Sequence, residues 1–175
     1  MSEELGKVHV LTGRGKGKTT AAFGLAMRAA GHGLKVCIVQ FMKAGETSGE
    51  VVSARRLGNI DVAQYGSGSF VDSKHITNED KEKAREGLEH AKRVLSDGSY
   101  QLVVLDEVNT VVSFGLLSAD EVMGALRSRG RGVEVVLTGR NAPVEFIEYA
   151  DYVSMIESKK HPFDAGLIAR EGIEW

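Results

Sequence analysis

The run Thr12-Gly13-Arg14-Gly15-Lys16-Gly17-Lys18-Thr19-Thr20 follows the apolar residues 8–11 and opens a helical pattern that begins at Ala21. Glycines between a strand and a helix let backbone amides turn inward, and the first helical turn aims its unpaired N–H groups and positive dipole end at an anion. Such a loop holds phosphate. Lys18 then reaches the distal phosphates, and the Thr19 hydroxyl sits on the Mg²⁺ that accompanies them. The usual pattern of Gly, four residues and Gly-Lys-Ser/Thr is met except at its first position, where Thr12 stands and Gly13 comes one residue late. The bland alternative is a glycine-rich turn with a basic helix start that binds nothing. The order of strand, loop and helix argues against it.

A second run, Leu102-Val103-Val104-Leu105-Asp106-Glu107, is apolar and ends in two carboxylates. Mg²⁺ prefers oxygen ligands and keeps several waters, so one or two carboxylates beside a bound triphosphate suffice. Asp106 or Glu107 is therefore expected to contact the ion, together with Thr19. Buried strands often end in Asp, so this signal gains its weight from the loop at 13–19. A third run, Leu137-Thr138-Gly139-Arg140, leaves another apolar stretch with an arginine whose planar donors suit phosphate oxygens; a surface ion pair is the competing reading. The five histidines show no metal-ligand spacing, and His161 is the one whose neighbours make it worth watching. There is no Ser-His-Asp spacing, no cysteine pair for zinc, and no base that stands out beside the nucleotide motifs.

These groups need a scaffold that brings them together. Short β-rich runs at 7–12, 35–41, 61–65, 102–106, 134–138 and 151–156 alternate with helical patterns at 18–32, 50–57, 79–96, 118–129 and 143–148. That alternation predicts a parallel sheet covered on both faces. The expected class is α/β, a P-loop NTPase-like (RecA-like) three-layer sandwich with a mainly parallel sheet of about six strands. In the third helix Ala84, Leu88, Ala91 and Leu95 share one face, while Glu82, Lys83, Glu86 and Lys92 lie elsewhere. Two segments break the rhythm: 66–78, polar with little material for a core, and the tail at 158–175. Loops at the carboxyl ends of parallel strands are where such folds place their sites.

A chain of 175 residues with 42% hydrophobic content is expected to form one domain over 1–175. With 22 basic against 24 acidic residues, no charge bias predicts a nucleic-acid or membrane partner. No stretch approaches the roughly 20 apolar residues of a membrane span, and the acidic start is unlike a signal peptide. A cytoplasmic location is expected. Cys37, the single cysteine, sits in an apolar run and reads as a small core residue.

Taken together, Gly13 to Ala22, Val39-Gln40-Phe41-Met42-Lys43, Leu105-Asp106-Glu107, Leu137-Thr138-Gly139-Arg140 and Lys160-His161-Pro162-Phe163-Asp164-Ala165-Gly166 resemble the P-loop family of ATP:corrinoid adenosyltransferases. The resemblance runs in order over 7–173. It implies that Co(I) of a reduced corrinoid attacks C5′ of ATP, forming a cobalt–carbon bond and expelling triphosphate. It also implies ATP held in reverse along the loop, and a loop that starts at Gly13 is the family's own form. Carried over residue by residue, Gly13, Arg14, Gly15, Lys16, Gly17, Lys18, Thr19, Thr20 and Arg140 hold ATP, with Arg14 near the nucleoside. Lys18, Thr19 and Glu107 serve the leaving triphosphate, and Mg²⁺ lies near Glu107. Family members often carry Gly-x-Gly-Phe-x-Trp after the third strand, whose aromatics help displace the lower axial ligand of the corrinoid. Here the segment reads Gly66-Ser67-Gly68-Ser69-Phe70-Val71-Asp72, so Phe70 is carried over and the Trp role is not. Trp175 has no claim to that place. The chain also reaches its first strand without the N-terminal extension found in some members. A flavin-dependent or other reductase and a homodimer complete what the resemblance implies. From the residues alone, a RecA-like ATPase or nucleotide kinase, or a nucleotide-dependent regulator, stays open.

Overall fold

Valine, isoleucine and leucine crowd into short runs, and half of these lose solvent on both faces when they pair. The computed structural model describes residues 5–45, 48–68, 71–162 and 166–174. Among them, β1 (Val8–Thr12), β2 (Val36–Phe41), β3 (Ile60–Tyr65), β4 (Leu102–Asp106), β5 (Glu134–Thr138) and β6 (Tyr152–Met155) form one sheet in the order β3-β2-β4-β5-β1-β6. Every neighbouring pair is parallel. Parallel neighbours need crossovers, and helices supply them: α1 (Lys18–Gly31), α2 (Gly49–Arg56), α3 (Asn78–Ser96), α4 (Val108–Ser113), α5 (Ala119–Arg127) and α6 (Val144–Tyr149).

The helices divide between the two faces. On one, Ala22, Phe23, Ala26 and Ala30 of α1 and Val51 and Ala54 of α2 cover Val36, Ile38, Val104 and Val136. Alanine at every fourth position of α1 gives that helix a smooth buried stripe. On the other face, Ala84, Leu88, Ala91 and Leu95 of α3 join Val122 and Leu126 of α5 and Phe146 of α6 over Val10, Val39, Val103, Leu105 and Leu137. The expected three-layer sandwich is therefore what the chain forms. Cys37 is buried in the second layer, and burial pushes its thiol up to about 12.

Two capping boxes set helix starts. The Thr77 hydroxyl accepts from Asp80 N while the Asp80 carboxylate accepts from Thr77 N, and Ser118 and Glu121 repeat the arrangement at α5. Each contributes on the order of 1 kcal/mol. Ser67 Oγ also donates to Asp80, tying the loop after β3 to the start of α3. That loop gives more to the core than its polarity suggested, because Val71 is buried and Ile76 packs against the same cluster. Phe70 lies outside the described residues. The helix α4 was not expected from the sequence. Its residues are mostly β-branched or polar, poor helix formers, but burying Val108 and Val111 overrides that preference.

Because the strands are all parallel, their carboxyl ends share one edge. The register sets Gln40 beside Asp106 and Leu11 beside Thr138. One strand, β5, separates the loop-bearing β1 from the carboxylate-bearing β4, so the end of β5 lies between the two halves of the site.

Candidate functional site

The loop joining β1 to α1 needs its glycines for different reasons. Gly13 has φ 102°, and a Cβ there would lie 2.4 Å from the Ile156 carbonyl oxygen. Gly15 donates its N–H to that same oxygen at 2.7 Å, and a Cβ on it would meet Glu157 backbone at 2.8 Å. Gly17 has open space around it but caps α1 with φ 120°, a conformation L side chains avoid. Thr12, standing in the usual first-glycine position, is almost wholly buried, and its hydroxyl accepts from Ala142 N at 3.1 Å. The departure from the common pattern thus ties the end of β1 to the loop after β5.

Lys18 begins α1 with its side chain turned back onto the loop, where Nζ donates to the Gly15 carbonyl at 2.8 Å. Burial lowers its pKa, Glu107 opposes that shift and Arg140 adds to it. A lysine so held is desolvated and already beside the amides that would receive an anion.

Asp106 ends β4 with no solvent exposure. Oδ1 accepts from Thr19 Oγ1 at 2.9 Å and Thr138 Oγ1 at 2.7 Å; Oδ2 accepts from Gln40 Nε2 at 2.9 Å and Lys43 Nζ at 3.0 Å. Burial alone would raise its pKa. The Lys43 charge and the bonds from Thr138, Gln40 and Lys43 outweigh burial and hold it below the usual carboxylate range. Four donors on two buried oxygens leave Asp106 as an anchor beneath the site.

Glu107 has the opposite environment. Its backbone sits at φ 66°, in the left-handed region that non-glycine residues occupy at a cost of about 1–3 kcal/mol. That twist starts α4 and turns the carboxylate to the cleft, where Oε2 accepts from Thr110 Oγ1 and the Glu107 N–H donates to Thr138 Oγ1 at 3.0 Å. Thr110 Oγ1 also accepts from Arg140 N at 3.0 Å. A Cβ on Gly139 (φ 130°) would lie 2.7 Å from Thr110 N, so the approach of the Arg140 segment to α4 depends on that glycine.

Above these groups opens a cleft of about 1060 Å³, at the upper end of the roughly 300–1,000 Å³ of small-molecule sites. Arg14, Gly15, Lys16, Gly17, Lys18, Thr19 and Thr20 line it, as do Glu107 and Arg140. Phe23 and Met27 of α1, with Ala54 of α2, add an apolar wall, and Glu50 and Ser53 of α2 are polar neighbours. His161 and residues 172–174 of the tail reach the same cleft, and Lys16 Nζ donates to Glu174 Oε1 at 2.9 Å. Hydrogen bonds from Arg170 and Lys16 hold the Glu174 carboxyl down at about 2.

The structure therefore gathers nearly all of the sequence-derived residues at one edge of the sheet. Asp106 lies beneath the cleft. Gly13 borders a neighbouring cavity of about 470 Å³ that shares Arg14 and Ser158 with the larger one. Four side chains of the site carry no assigned role in the sequence reading: Gln40, Lys43 and Thr138, quoted there only as parts of motifs, and Thr110, which is not singled out at all. Gln40 carried a signal, a polar residue within an otherwise apolar strand. The partner of Lys43 was not legible even within its motif, because Lys43 reaches Asp106 through a turn at Met42 with φ 55° that no spacing announces.

Comparison with known proteins agrees with this architecture. The family model described as ATP:corrinoid adenosyltransferase BtuR/CobO/CobP matches residues 4–175. A corrinoid adenosyltransferase of Escherichia coli K12 is 41% identical over 173 residues, which cover 99% of this chain and 87% of the relative. The corrinoid adenosyltransferase CobA of Salmonella typhimurium is 39% identical, with the same coverage. That of Pseudomonas aeruginosa is 38% identical over 174 residues, 99% of this chain and 85% of the relative. With its glycine cradle, its paired carboxylates and nearly its whole length aligned to these enzymes, the chain belongs to the ATP:corrinoid adenosyltransferases.

Proposed function

We propose that the cleft binds ATP and a reduced corrinoid and transfers the 5′-deoxyadenosyl group of ATP to Co(I), releasing triphosphate, in adenosylcobalamin synthesis or salvage. The observation that carries this reading is the pairing of a phosphate cradle at 13–19 with a cleft that extends to the apolar wall of Phe23 and Met27. Nothing in the reaction requires a proton to move. Co(I) supplies the electron pair of the new cobalt–carbon bond, and the C5′–O bond releases its pair to triphosphate. Catalysis then rests on orientation and on stabilising the charge that builds on the leaving group. Lys18 and the amide of Gly17 line the cleft at the cradle and would face that charge, while the Gly15 N–H stays bonded to the Ile156 carbonyl. Arg140, held by its backbone bond to Thr110, adds a second cation to the cleft wall.

The residues also fit Mg²⁺. Thr19 and Glu107 offer hard oxygens at the cleft wall, and Asp106 has every acceptor position filled from within the protein. Thr19 and Glu107 are thus the proposed ligands, with Asp106 orienting Thr19. When bound, the ion withdraws charge from the phosphate oxygens. Arg14, shared between the two cavities, is assigned to the nucleoside, and Phe70 to the corrinoid.

We further propose that a reductase delivers the electron that makes Co(I), that the enzyme acts in the cytoplasm, and that it is a homodimer. Among the described residues no helix is long and apolar enough to cross a membrane. The outer strand β6, with Tyr152, Val153 and Met155 exposed, supports a self-association surface. Product analysis tests the main reading: ATP, Mg²⁺ and a chemically reduced corrinoid should yield triphosphate and an adenosylated corrinoid in equal amounts. ADP and phosphate as the products would overturn it.

A further inference from the structure

Among the described residues Lys43 is the one cation directly bonded to the buried Asp106 carboxylate, and several features fix it there. The chain leaves β2 through Met42, whose φ of 55° is unusual for a side chain of that size. Met42 N donates to the Tyr65 carbonyl at 2.8 Å, and Gly66 packs so closely beneath the turn that a Cβ there would lie 2.6 Å from Lys43 N. Strain held by neighbours in this way marks a side chain whose position matters. Its ammonium meets Asp106 Oδ2 at 3.0 Å, yet Lys43 also lines the cleft beside the glycine loop and keeps about a third of its side chain, 31%, exposed. An ammonium carries three donors. Among the described residues, only Asp106 is a hydrogen-bond partner of Nζ. Burial works against its charge, but Asp106, Glu107 and Glu50 together raise its pKa, so Lys43 stays protonated.

We propose that Lys43 is a phosphate-contacting residue, a second ammonium that grips the triphosphate from the β2 end of the cleft while Asp106 anchors it. This rests on reading the cleft as a triphosphate site. The alternative is that Lys43 only balances the charge of Asp106, and so acts on substrate indirectly through Thr19 and the ion that Thr19 would bind.

Inorganic tripolyphosphate, titrated calorimetrically with Mg²⁺ and again in excess EDTA, separates the two. A direct contact predicts that Lys43→Met loses about tenfold in affinity, the scale of one charge-assisted hydrogen bond, in both conditions. Lys43→Arg should keep most of it. Lys43→Gln leaves Asp106 a neutral donor while removing the charge, so it should show the same loss should Lys43→Met fail to fold. Undiminished binding by Lys43→Gln, or a loss confined to the Mg²⁺ titration, would overturn the proposal and leave the cleft assignment intact. Absence of tripolyphosphate binding by the unaltered protein would remove the cleft assignment itself, and this inference with it.

Discussion

Thr138 Oγ1 donates to Asp106 Oδ1 across 2.7 Å while accepting the Glu107 N–H at 3.0 Å. One hydroxyl at the end of β5 therefore positions the buried carboxylate and the backbone of the one that lines the cleft. Thr138→Val keeps the shape and removes both bonds. We expect a loss of about 1–3 kcal/mol in urea unfolding, the cost of an unmet buried polar group, together with reduced turnover. Thr138→Ser should restore most of both. Unchanged turnover in the valine variant would separate Thr138 from the placement of Glu107.

Lys18 is the residue proposed to meet the charge that develops on the departing triphosphate. Lys18→Ala should lower turnover by roughly 10²–10³-fold, as loss of one preorganised donor does elsewhere, with far-UV circular dichroism unchanged. Near-normal steady-state turnover would take the loop lysine out of the mechanism.

The loop glycines should separate by cause. In Gly13→Ala the new methyl meets the Ile156 carbonyl at 2.4 Å, whereas in Gly17→Ala it meets nothing within 4 Å and only the φ of 120° is strained. Denaturant midpoints should therefore fall more for Gly13→Ala than for Gly17→Ala. Equal shifts would mean that backbone conformation, and not the close approach to Ile156, governs the loop.

Stability should respond to acid through Asp106. Its folded-state pKa is depressed, the Lys43 charge and three side-chain bonds outweighing burial, so the unfolded chain takes up the proton at the higher pH. The stabilisation is complete above the ordinary aspartate value of about 4 and is lost as pH falls through the folded value. Unfolding free energy measured downward from pH 7 should decline in that acid window. Asp106→Asn should flatten the decline; an identical acid slope in that variant would assign it to other carboxylates.

Much of this molecule could be read from its residues because local signals agreed with the fold. The apolar runs at 102–106 and 134–138 became β4 and β5 with the same limits, and the stripe of Ala84, Leu88, Ala91 and Leu95 became the buried face of α3. Thr19 and the acidic pair converged because both follow strands of one parallel sheet. What stayed hidden depends on contacts between distant residues. Asp106 and Glu107 are neighbours of similar chemistry, yet one is sealed under four donors and the other twisted into the cleft, a split that only the φ of Glu107 and the hydroxyl of Thr138 create. The helix α4 was equally illegible, since its valines favour strands until the core claims them.

The floor of the phosphate cradle is borrowed. Gly13 and Gly15 rest on Ile156 and Glu157, the continuation of an outermost strand whose four residues are all exposed and which, among the described residues, pairs with β1 alone. Such margins fray before the interior does. On warming, the enzyme should consequently lose its grip on ATP at temperatures where the central strands still resist hydrogen exchange, so that heat inactivation and global melting become two separate events.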